Sequence, residues 1–308
     1  MALPLTNSLD SLPLDNLPLE SKFHQFPSPA KLNLFLHVVG RRSDGYHELQ
    51  TLFQFLDYGD TLEIKVTDSG EINLLTPIAG VAAEDNLIVK AAKMLQQAAK
   101  AQGQSHVPGA EININKVLPM GGGLGGGSSN AATVLLALNV LWQLNLSTEK
   151  LAVLGLALGA DVPVFIHGFA AYAEGVGEKL TPRNPEEYWY LVSKPDCSIS
   201  TVSVFTSDDL PRNTDRQLAQ SADIDACHND CQIMVIKHYP EVAKLLSWLL
   251  EYAPSQMTGT GACIFSRFDS KAEACDIQAQ LPEGIESFVA KGINQSPLIP
   301  AIAALSRS

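Results

Sequence analysis

Alternating hydrophobic and polar residues predict most of the strands in this chain. Within Pro27–Val39, every second residue from 32 to 36 is leucine, and Lys31 and Asn33 lie on the opposite face. Side chains of a strand alternate between its faces, so the lysine and the asparagine are expected to point the same way. The same reasoning predicts strands over residues 50–56, 61–66, 111–118, 169–174, 178–181, 188–192, 264–267 and 286–290, with 70–75 as a partner of 61–66.

Helices are predicted where a capping residue precedes a run without helix breakers. Asp85 or Asn86 begins a helix that continues to about Ala101, and Ser147 begins another that ends near Leu158. A third helix is expected over residues 131–142, with its N-cap at one of residues 128–130. A short helix is expected at 201–205, a helical pair at 230–252 with a break at residue 240, and a further helix at 271–281.

A glycine-rich segment, Lys116–Ala132, joins the strand at 111–118 to the helix that follows, and it holds six of the chain's 22 glycines. Glycine allows the backbone to turn its N–H groups toward a ligand. A helix N-terminus adds unpaired N–H groups and the positive end of the helix dipole. This combination predicts an anion-binding site, and phosphate is the best candidate.

Two familiar phosphate loops do not fit this segment. A Walker loop has a lysine directly before its final serine, and this chain has Ser128 there. The dinucleotide pattern is met by Gly121, Gly123 and Gly126, but it needs a second parallel strand after the helix. Residues 147–158 are predicted to be another helix instead, so the context excludes a dinucleotide site.

Charge and composition narrow the class of protein. The chain has 308 residues, enough for two domains, and a formal net charge of −12. Such a charge disfavours nucleic acid as a partner, because phosphate backbones need a positive field. No apolar run reaches the roughly 20 residues of a membrane helix, so no membrane partner is expected. The five scattered cysteines are typical of reduced thiols in a cytoplasmic protein.

The chain divides into a tail and two predicted domains. Prolines recur throughout residues 1–25, which predicts a mobile tail. Residues 26–182 form the first predicted domain and residues 183–308 the second. Strands and helices are mixed in an order that indicates an α+β sandwich. The second domain contains another glycine loop, Met257–Cys263.

Three segments follow the order of the motifs of the GHMP kinases: Pro27–Leu34, the first glycine loop and Gly259–Ala262. The chain resembles this superfamily, which includes galactokinase, homoserine kinase and mevalonate kinase. Asp44–Gln50 and Gly159–Phe165 are similar to one branch, whose substrate is a methylerythritol unit linked to cytidine diphosphate. The resemblance implies a two-domain α+β fold. A ribosomal-protein-S5-like N-terminal domain would join a ferredoxin-like C-terminal domain, with the site between them.

The resemblance also implies a reaction, transfer of the ATP γ-phosphoryl group to the 2-hydroxyl of the methylerythritol unit. Lys31 and Asp161 are the expected catalytic pair, because the transfer needs charge stabilisation and an acceptor for the hydroxyl proton. The expected nucleotide contacts are Lys116, Pro119, Met120, Gly121, Gly122, Gly123, Leu124, Gly125, Gly126, Gly127, Ser128, Ser129, Gly259, Thr260 and Gly261. The expected substrate contacts are Asn33, Tyr46, His47, Thr201 and Phe205.

Magnesium is expected with ATP, although the sequence contains no acidic pair that clearly ligates it. The metal is expected on the phosphates, on water and on Ser128 or Ser129. The partner is expected to be a small molecule, and the protein a monomer or weak homodimer.

Each key residue also has a purely structural interpretation. Asp161, with Pro163 in the next turn, is a good helix N-cap. Tyr46 is compatible with a core aromatic, and Lys31 with an exposed strand lysine. Two other functions stay open at this point. One is a GHMP kinase for another small alcohol, such as homoserine, and the other is a non-catalytic small-molecule sensor on the same fold.

Overall fold

The computed structural model describes residues 22–219 and 226–305 of the chain. Most of the predicted tail therefore lies outside the described residues. The first strand, β1, covers His24–Arg41, so it begins two residues before the predicted start of the first domain.

Two long antiparallel strands form the centre of the fold, and β1 is joined by β2, which covers His47–Thr67. The sequence predicted two strands in place of β2, because Asp57–Asp60 has the composition of a turn. This segment stays extended since Gly59 has no side chain. A Cβ built on Gly59 would lie 2.2 Å from the carbonyl oxygen of Ser28 in β1.

Eight further strands among the described residues complete a ten-stranded sheet. These strands are β3 (Ile72–Leu74), β4 (Gly109–Asn115), β5 (Ala171–Gly175), β6 (Lys179–Pro182), β7 (Trp189–Lys194), β8 (Ser255–Met257), β9 (Ile264–Phe268) and β10 (Glu286–Ile293). The order in the sheet is β3-β4-β2-β10-β7-β9-β8, with β1 and β5 also paired to β2, and β6 to β5. The strand β3 pairs in parallel with β4, so the predicted pairing of residues 70–75 with 61–66 was wrong.

Two of the predicted helix caps in the first half are confirmed. Asn86 accepts a hydrogen bond from the Ile88 amide at 2.9 Å, and Ser147 accepts one from the Lys150 amide at 3.3 Å. These bonds satisfy amides that have no partner within the helix. The helices of this half are α1 (Leu87–Ala101), α2 (Gly126–Leu141), α3 (Thr148–Leu158) and α4 (Val162–His167).

The helix α2 begins five residues earlier than predicted. Its N-cap is Gly125, which has no side chain, so none of residues 128–130 caps it. Ser129 accepts a hydrogen bond from Ser28, and Asn130 donates to Ser28 and to Asp60. Packing against β1 and β2, rather than a side-chain cap, therefore fixes where this helix begins.

The second half carries five helices among its described residues, and the predicted break at Pro240 is confirmed. The last helix was not predicted, and it returns to the hydrophobic core of the first half, where Leu298 is 1% exposed. These helices are α5 (Thr201–Thr206), α6 (Asp230–His238), α7 (Pro240–Leu249), α8 (Lys271–Gln278) and α9 (Leu298–Leu305).

The two halves share a hydrophobic cluster as well as a sheet. Leu32 and Tyr172 from the first half pack in it with Tyr190 and Phe265 from the second. The strand β10 pairs with β7 over residues 286–291 and with β2 at its end, where Gly292 pairs with Leu56 and Ile293 with Phe55. Within the described ranges, no helix has the length and apolar character needed to cross a membrane.

Candidate active site

The first glycine loop connects β4 to α2 and contacts the second glycine loop through backbone atoms. Gly121, Gly123 and Gly125 have φ angles of 66°, 76° and 72°, a region that side chains disfavour. A Cβ on Gly123 would lie 2.2 Å from the carbonyl oxygen of Thr258. The two loops can approach this closely only because the first has no side chain there.

The N-terminus of α2 presents backbone amides to a cleft. The Ser129 amide donates to the Gly125 carbonyl at 2.8 Å, so the amides of residues 126–128 have no partner within the helix. The cleft has a volume of about 350 Å³. Every predicted nucleotide contact on this loop except Ser129 lines it: Lys116, residues 119–127 and Ser128.

A further part of the cleft lining was missed by sequence reasoning. It comprises Ile78, Val81 and residues 85–88, among which Ile78, Val81, Leu87 and Ile88 are apolar. Together with Met120, which is 51% exposed, they offer an apolar lining beside the polar loop. The cap at Asn86 marked a helix start in the sequence, but nothing indicated that this start faces the glycine loop.

A buried carboxylate supports the glycine loop and was also missed. Asp60 is 1% exposed and accepts hydrogen bonds from Lys116 Nζ at 2.7 Å and Asn130 Nδ2 at 3.0 Å. It also accepts from the amides of Val117 and Leu118, both at 2.9 Å. A buried carboxylate is stable only when it is paired and hydrogen-bonded in this way. Asp60 therefore fixes the position of the predicted nucleotide-contacting lysine.

The structure brings Lys31 and Asp161 together, with Lys31 Nζ 3.1 Å from Asp161 Oδ2. The lysine side chain is 3% exposed, so its interpretation as an exposed strand residue was wrong. Its ammonium also donates to the Gly123 carbonyl at 2.9 Å and to Asn33 Oδ1 at 2.5 Å, which uses all three donors. The carboxylate of Asp161 is 32% exposed. The catalytic role of this pair stays a prediction.

Asp161 does not cap α4, although it occupies the N-cap position. An N-cap side chain accepts from the second or third amide of its helix. The second residue of α4 is Pro163, which has no N–H, and the Val162 amide donates to the Gly159 carbonyl. The carboxylate pairs with Lys31 instead, so the capping interpretation was wrong.

The second glycine loop is held against β1 and the first loop. Thr258 Oγ1 accepts from the Asn33 amide at 2.9 Å, and the Ala262 amide donates to the Gly121 carbonyl at 3.3 Å. Asn229, which was not predicted, donates to the Gly259 carbonyl at 2.9 Å. The predicted contacts Gly259, Thr260 and Gly261 thus lie beside the first loop, although they do not line the same cleft.

Four of the predicted substrate residues lie on α5 or at or just before the start of β2. Tyr46 is 66% exposed, so its interpretation as a core aromatic was wrong. Phe205 stacks on His47, with ring centroids 5.2 Å apart and an angle of 26° between the rings. Thr201 and Thr260 are joined through their hydroxyl oxygens at 3.1 Å, which brings α5 beside the second glycine loop.

Two of the predicted residues have side chains that are turned inward. Asn33 is 3% exposed, accepts from Lys31 and donates to Thr51 at 2.9 Å, so it positions the lysine. Its contact with substrate stays a prediction. Ser129 is fully buried and its hydroxyl bonds Ser28, so Ser128 is the serine that lines the cleft.

Comparisons with known proteins identify the family of this chain. The GHMP kinases N terminal domain matches residues 86–169, and the GHMP kinases C terminal domain matches residues 208–286. The chain therefore belongs to the GHMP kinases, which are phosphotransferases. It is 60% identical over 293 residues to 4-diphosphocytidyl-2-C-methyl-D-erythritol kinase of Colwellia psychrerythraea (strain 34H), covering 94% of this chain and 96% of that relative.

Solved structures support the same assignment of the fold. A crystal structure of 4-(cytidine 5'-diphospho)-2C-methyl-D-erythritol kinase aligns with a TM-score of 0.75 at 31% identity, over 87% of this chain and 98% of that one. Homoserine kinase from Cytophaga hutchinsonii aligns with a TM-score of 0.63 at 16% identity, over 91% and 97%. The second likeness concerns the fold alone. The expected two-domain α+β GHMP kinase fold is confirmed.

Proposed function

We propose that this chain uses ATP to phosphorylate the 2-hydroxyl of 4-diphosphocytidyl-2-C-methyl-D-erythritol. The observation that carries the proposal is the ion pair of Lys31 and Asp161, which contacts the first glycine loop at Gly123. The named relatives support the choice of substrate.

The nucleotide would bind in the cleft at the N-terminus of α2. Free amides of residues 126–128 and the positive end of the helix dipole suit its phosphates. Lys116 adds a cation whose position Asp60 fixes at 2.7 Å. The apolar wall formed by Ile78, Val81 and Leu87 suits the flat face of an adenine ring.

Magnesium would reach the site on the phosphates of the nucleotide. Among the described residues, no group of three or more His, Cys, Asp or Glu side chains could hold a metal ion. The Ser128 hydroxyl in the cleft could supply one oxygen ligand. Phosphate oxygens and water would supply the others, since Mg²⁺ usually keeps several waters and binds substrate phosphates. When bound, the ion would neutralise charge on the phosphates.

Asp161 and Lys31 would act on the hydroxyl that attacks the γ-phosphorus. A bond forms between the hydroxyl oxygen and this phosphorus, while the bond to the bridging oxygen breaks and ADP leaves. Asp161 orients the hydroxyl and accepts its proton, which then passes to solvent. Lys31 holds the carboxylate in place and stabilises charge on the transferred group.

The cytidine end of the substrate would lie at Tyr46, His47 and Phe205. An exposed tyrosine beside a stacked histidine and phenylalanine offers flat faces for a base. A kinase for homoserine would need none of these aromatic groups, and a sensor without activity would not need the Lys31–Asp161 pair. We further place the protein in the cytoplasm as a monomer or weak homodimer.

A turnover assay tests the proposal. Purified protein with ATP and magnesium should convert the cytidyl alcohol to its 2-phosphate, detected by mass spectrometry and by ADP release. The panel should include homoserine, galactose and mevalonate. Turnover of one of these alcohols in preference to the cytidyl compound would contradict the proposal. Binding of all compounds without turnover would indicate the sensor.

A further inference from the structure

Arg212 lies after α5 and holds the imidazole of His47 by one of its two nitrogens. Its Nε donates a hydrogen bond to His47 Nε2 at 3.1 Å. Its other guanidinium nitrogens donate to three carbonyl oxygens, those of Phe205 at 3.1 Å, Ser207 at 2.6 Å and Leu210 at 3.1 Å. These three bonds fix the plane of the guanidinium, so the direction of its Nε–H bond is fixed as well.

This contact determines which nitrogen of His47 carries a proton. A guanidinium has donors only, so Nε2 must be the acceptor. A neutral imidazole whose Nε2 accepts has its hydrogen on Nδ1. If both nitrogens were protonated, the Nε2–H group of His47 would face the Nε–H group of Arg212, and the two positive charges would repel each other. Burial, followed by the charges of Arg212 and Arg41, accordingly lowers the pKa of His47 below its ordinary value of 6.5.

The rest of the pocket keeps the ring in this orientation. Phe205, whose carbonyl Arg212 also binds, stacks on one face of the His47 ring. Only 8% of His47 is exposed. Within the described part of the chain, His47 Nδ1 makes no hydrogen bond, so this N–H is available to a ligand.

We propose that Arg212 is a positioning residue that sets the preference of this pocket for cytosine over uracil, by holding His47 as a donor at Nδ1. The inference rests on the proposed function, because it assumes that the base binds beside His47. We place N3 of the base opposite Nδ1, because O2 is an acceptor in both bases and N3 is an acceptor in cytosine alone. Uracil presents an N3–H group, which would oppose the Nδ1–H group of His47 and leave two donors unpaired.

The first test measures the tautomer directly. Two-bond ¹H–¹⁵N spectra of protein labelled in histidine distinguish protonated from unprotonated ring nitrogens, and the His47→Asn variant assigns the signal. We expect an Nδ1–H tautomer in the unmodified protein. In Arg212→Met, which removes the donor, we expect a mixture with Nε2–H. An Nε2–H tautomer in the unmodified protein would overturn the proposal.

The second test measures base preference with CDP and UDP as ligands, by calorimetric titration. The unmodified protein should bind CDP about 10- to 100-fold more tightly than UDP, because bound UDP would leave the buried Nδ1–H donor facing another donor. In Arg212→Met this ratio should fall to within about threefold, while ATP affinity stays unchanged. Arg212→Lys keeps one donor but cannot bind three carbonyls, so its ratio should be intermediate.

Arg216→Met provides the matched control. Arg216 lies four residues further on and is 54% exposed, and its carboxylate contacts are 3.8 and 3.9 Å long. This variant removes the same charge from the same segment and should keep the full ratio. A ratio that falls equally in both variants would assign the effect to charge alone and overturn the proposal.

The remaining outcomes also decide the question. If Arg212→Met does not fold, the intermediate ratio of Arg212→Lys supports the proposal and an unchanged ratio overturns it. Equal binding of CDP and UDP by the unmodified protein overturns it as well. None of these measurements needs turnover, so failure of the cytidyl kinase assay would reject the proposed function separately.

Discussion

The structure excludes Asp161 as a helix cap, and the substitution Asp161→Asn tests its remaining role as catalytic base. Asparagine caps helices about as well as aspartate, so a cap would tolerate Asp161→Asn. We expect turnover to fall by about 10²- to 10⁴-fold, because asparagine can bond the hydroxyl but cannot accept its proton. ATP affinity and melting temperature should change little. Steady-state rates, calorimetric titration and thermal unfolding of one preparation measure all three.

Glu111→Gln is the matched control for this change. Glu111 forms an ion pair with Lys65 at 3.2 Å, and its side chain is 32% exposed, as is that of Asp161. Loss of this pair should leave turnover unchanged, because exposed ion pairs contribute little. A folded Asp161→Asn protein with more than about a tenth of normal turnover would exclude Asp161 as the base.

His37 gives a residue-level prediction about pH. It is 2% exposed, its Nδ1 has no hydrogen-bond partner, and its ring centroid lies 4.7 Å from that of His228. Burial, followed by the charge of His228, lowers its pKa below 6.5, and Asp230 opposes this shift. The folded state therefore binds fewer protons than the unfolded state once the pH falls below about 6.5. As the pH falls further, the free energy of unfolding should decrease until the pH reaches the pKa of His37 in the folded state.

The His228 amide donates a hydrogen bond to His37 Nε2 at 3.4 Å, and the substitution His37→Gln keeps an acceptor for it but cannot bind a proton. We expect a smaller loss of unfolding free energy between pH 7.5 and 5.5 than in the unmodified protein. The maximum difference is about 1.4 kcal/mol per pH unit for one proton. Some loss should persist, because burial also lowers the pKa of His47 and of His167. The exposed control His106→Gln should keep the pH dependence of the unmodified protein. If the unfolding free energy of His37→Gln changes with pH as much as that of this control, the prediction is wrong.

The first glycine loop is the element whose backbone conformation matters most for the site. Gly123→Ala would place a Cβ 2.2 Å from the Thr258 carbonyl, so the two glycine loops must separate. We expect a lower melting temperature and ATP affinity reduced about tenfold or more, since small displacements of positioning groups are costly. Gly103→Ala is the control, because Gly103 has a φ of 88° but no atom within 4 Å of its Cβ position.

This control isolates the contact between the loops from backbone strain. Gly103→Ala should cost about 1–2 kcal/mol of stability for its left-handed conformation alone. It should leave nucleotide binding unchanged. Equal ATP affinity in both variants, by calorimetric titration, would show that the loop contact does not position the nucleotide.

Most elements with local signals could be predicted from the sequence. The caps of α1 and α3 were visible because an Asn or a Ser precedes each apolar run, and the break at Pro240 follows from the missing amide. The pairing of Lys31 with Asp161 came from motif order rather than from any local pattern. The beginning of α2 was predicted five residues late, because its position depends on bonds from β1 and β2 to Asn130.

Features that depend on distant contacts could not be predicted in this way. Asp60 has turn-like neighbours in the sequence, yet it is buried beneath Lys116. Arg212 has no local signal that points to His47, which lies 165 residues earlier. The continuity of β2 depends on the close approach of Ser28 to Gly59, a contact between two strands. Local propensity carries none of this information.

At the scale of the whole molecule, the two halves are expected to unfold together. Chains longer than about 150 residues often unfold through intermediates. Here β10 pairs with β7 of the second half and also with β2 of the first. The hydrophobic cluster that contains Leu32 and Tyr190 has side chains from both halves. In addition, α9 follows β10 but packs on the core of the first half. Separation of the halves would expose all of these contacts at once.

Two of the three tryptophans allow this cooperativity to be tested. Trp142 lies in the core of the first half, and Trp248 packs against that of the second. Proteins in which Trp189 and one of these two are replaced by phenylalanine, so that a single tryptophan remains, should show one denaturant transition, in which fluorescence and circular dichroism coincide. The substitution Leu298→Ala should cost about 2–5 kcal/mol, because it leaves a cavity in the first core. The Trp248 signal should shift by the same free energy, although this residue lies in the other half.

Leu250→Ala is the control, since this leucine is 54% exposed and its loss should change stability by less than about 0.5 kcal/mol. If Leu298→Ala moves the Trp142 transition and leaves that of Trp248 in place, the halves unfold independently. The shared sheet and the shared cluster would then be too weak to couple them. Coincident shifts of both signals would instead mean that a destabilising substitution in one core lowers the population of the whole folded state, in which Lys31, Asp161 and the glycine loops are assembled.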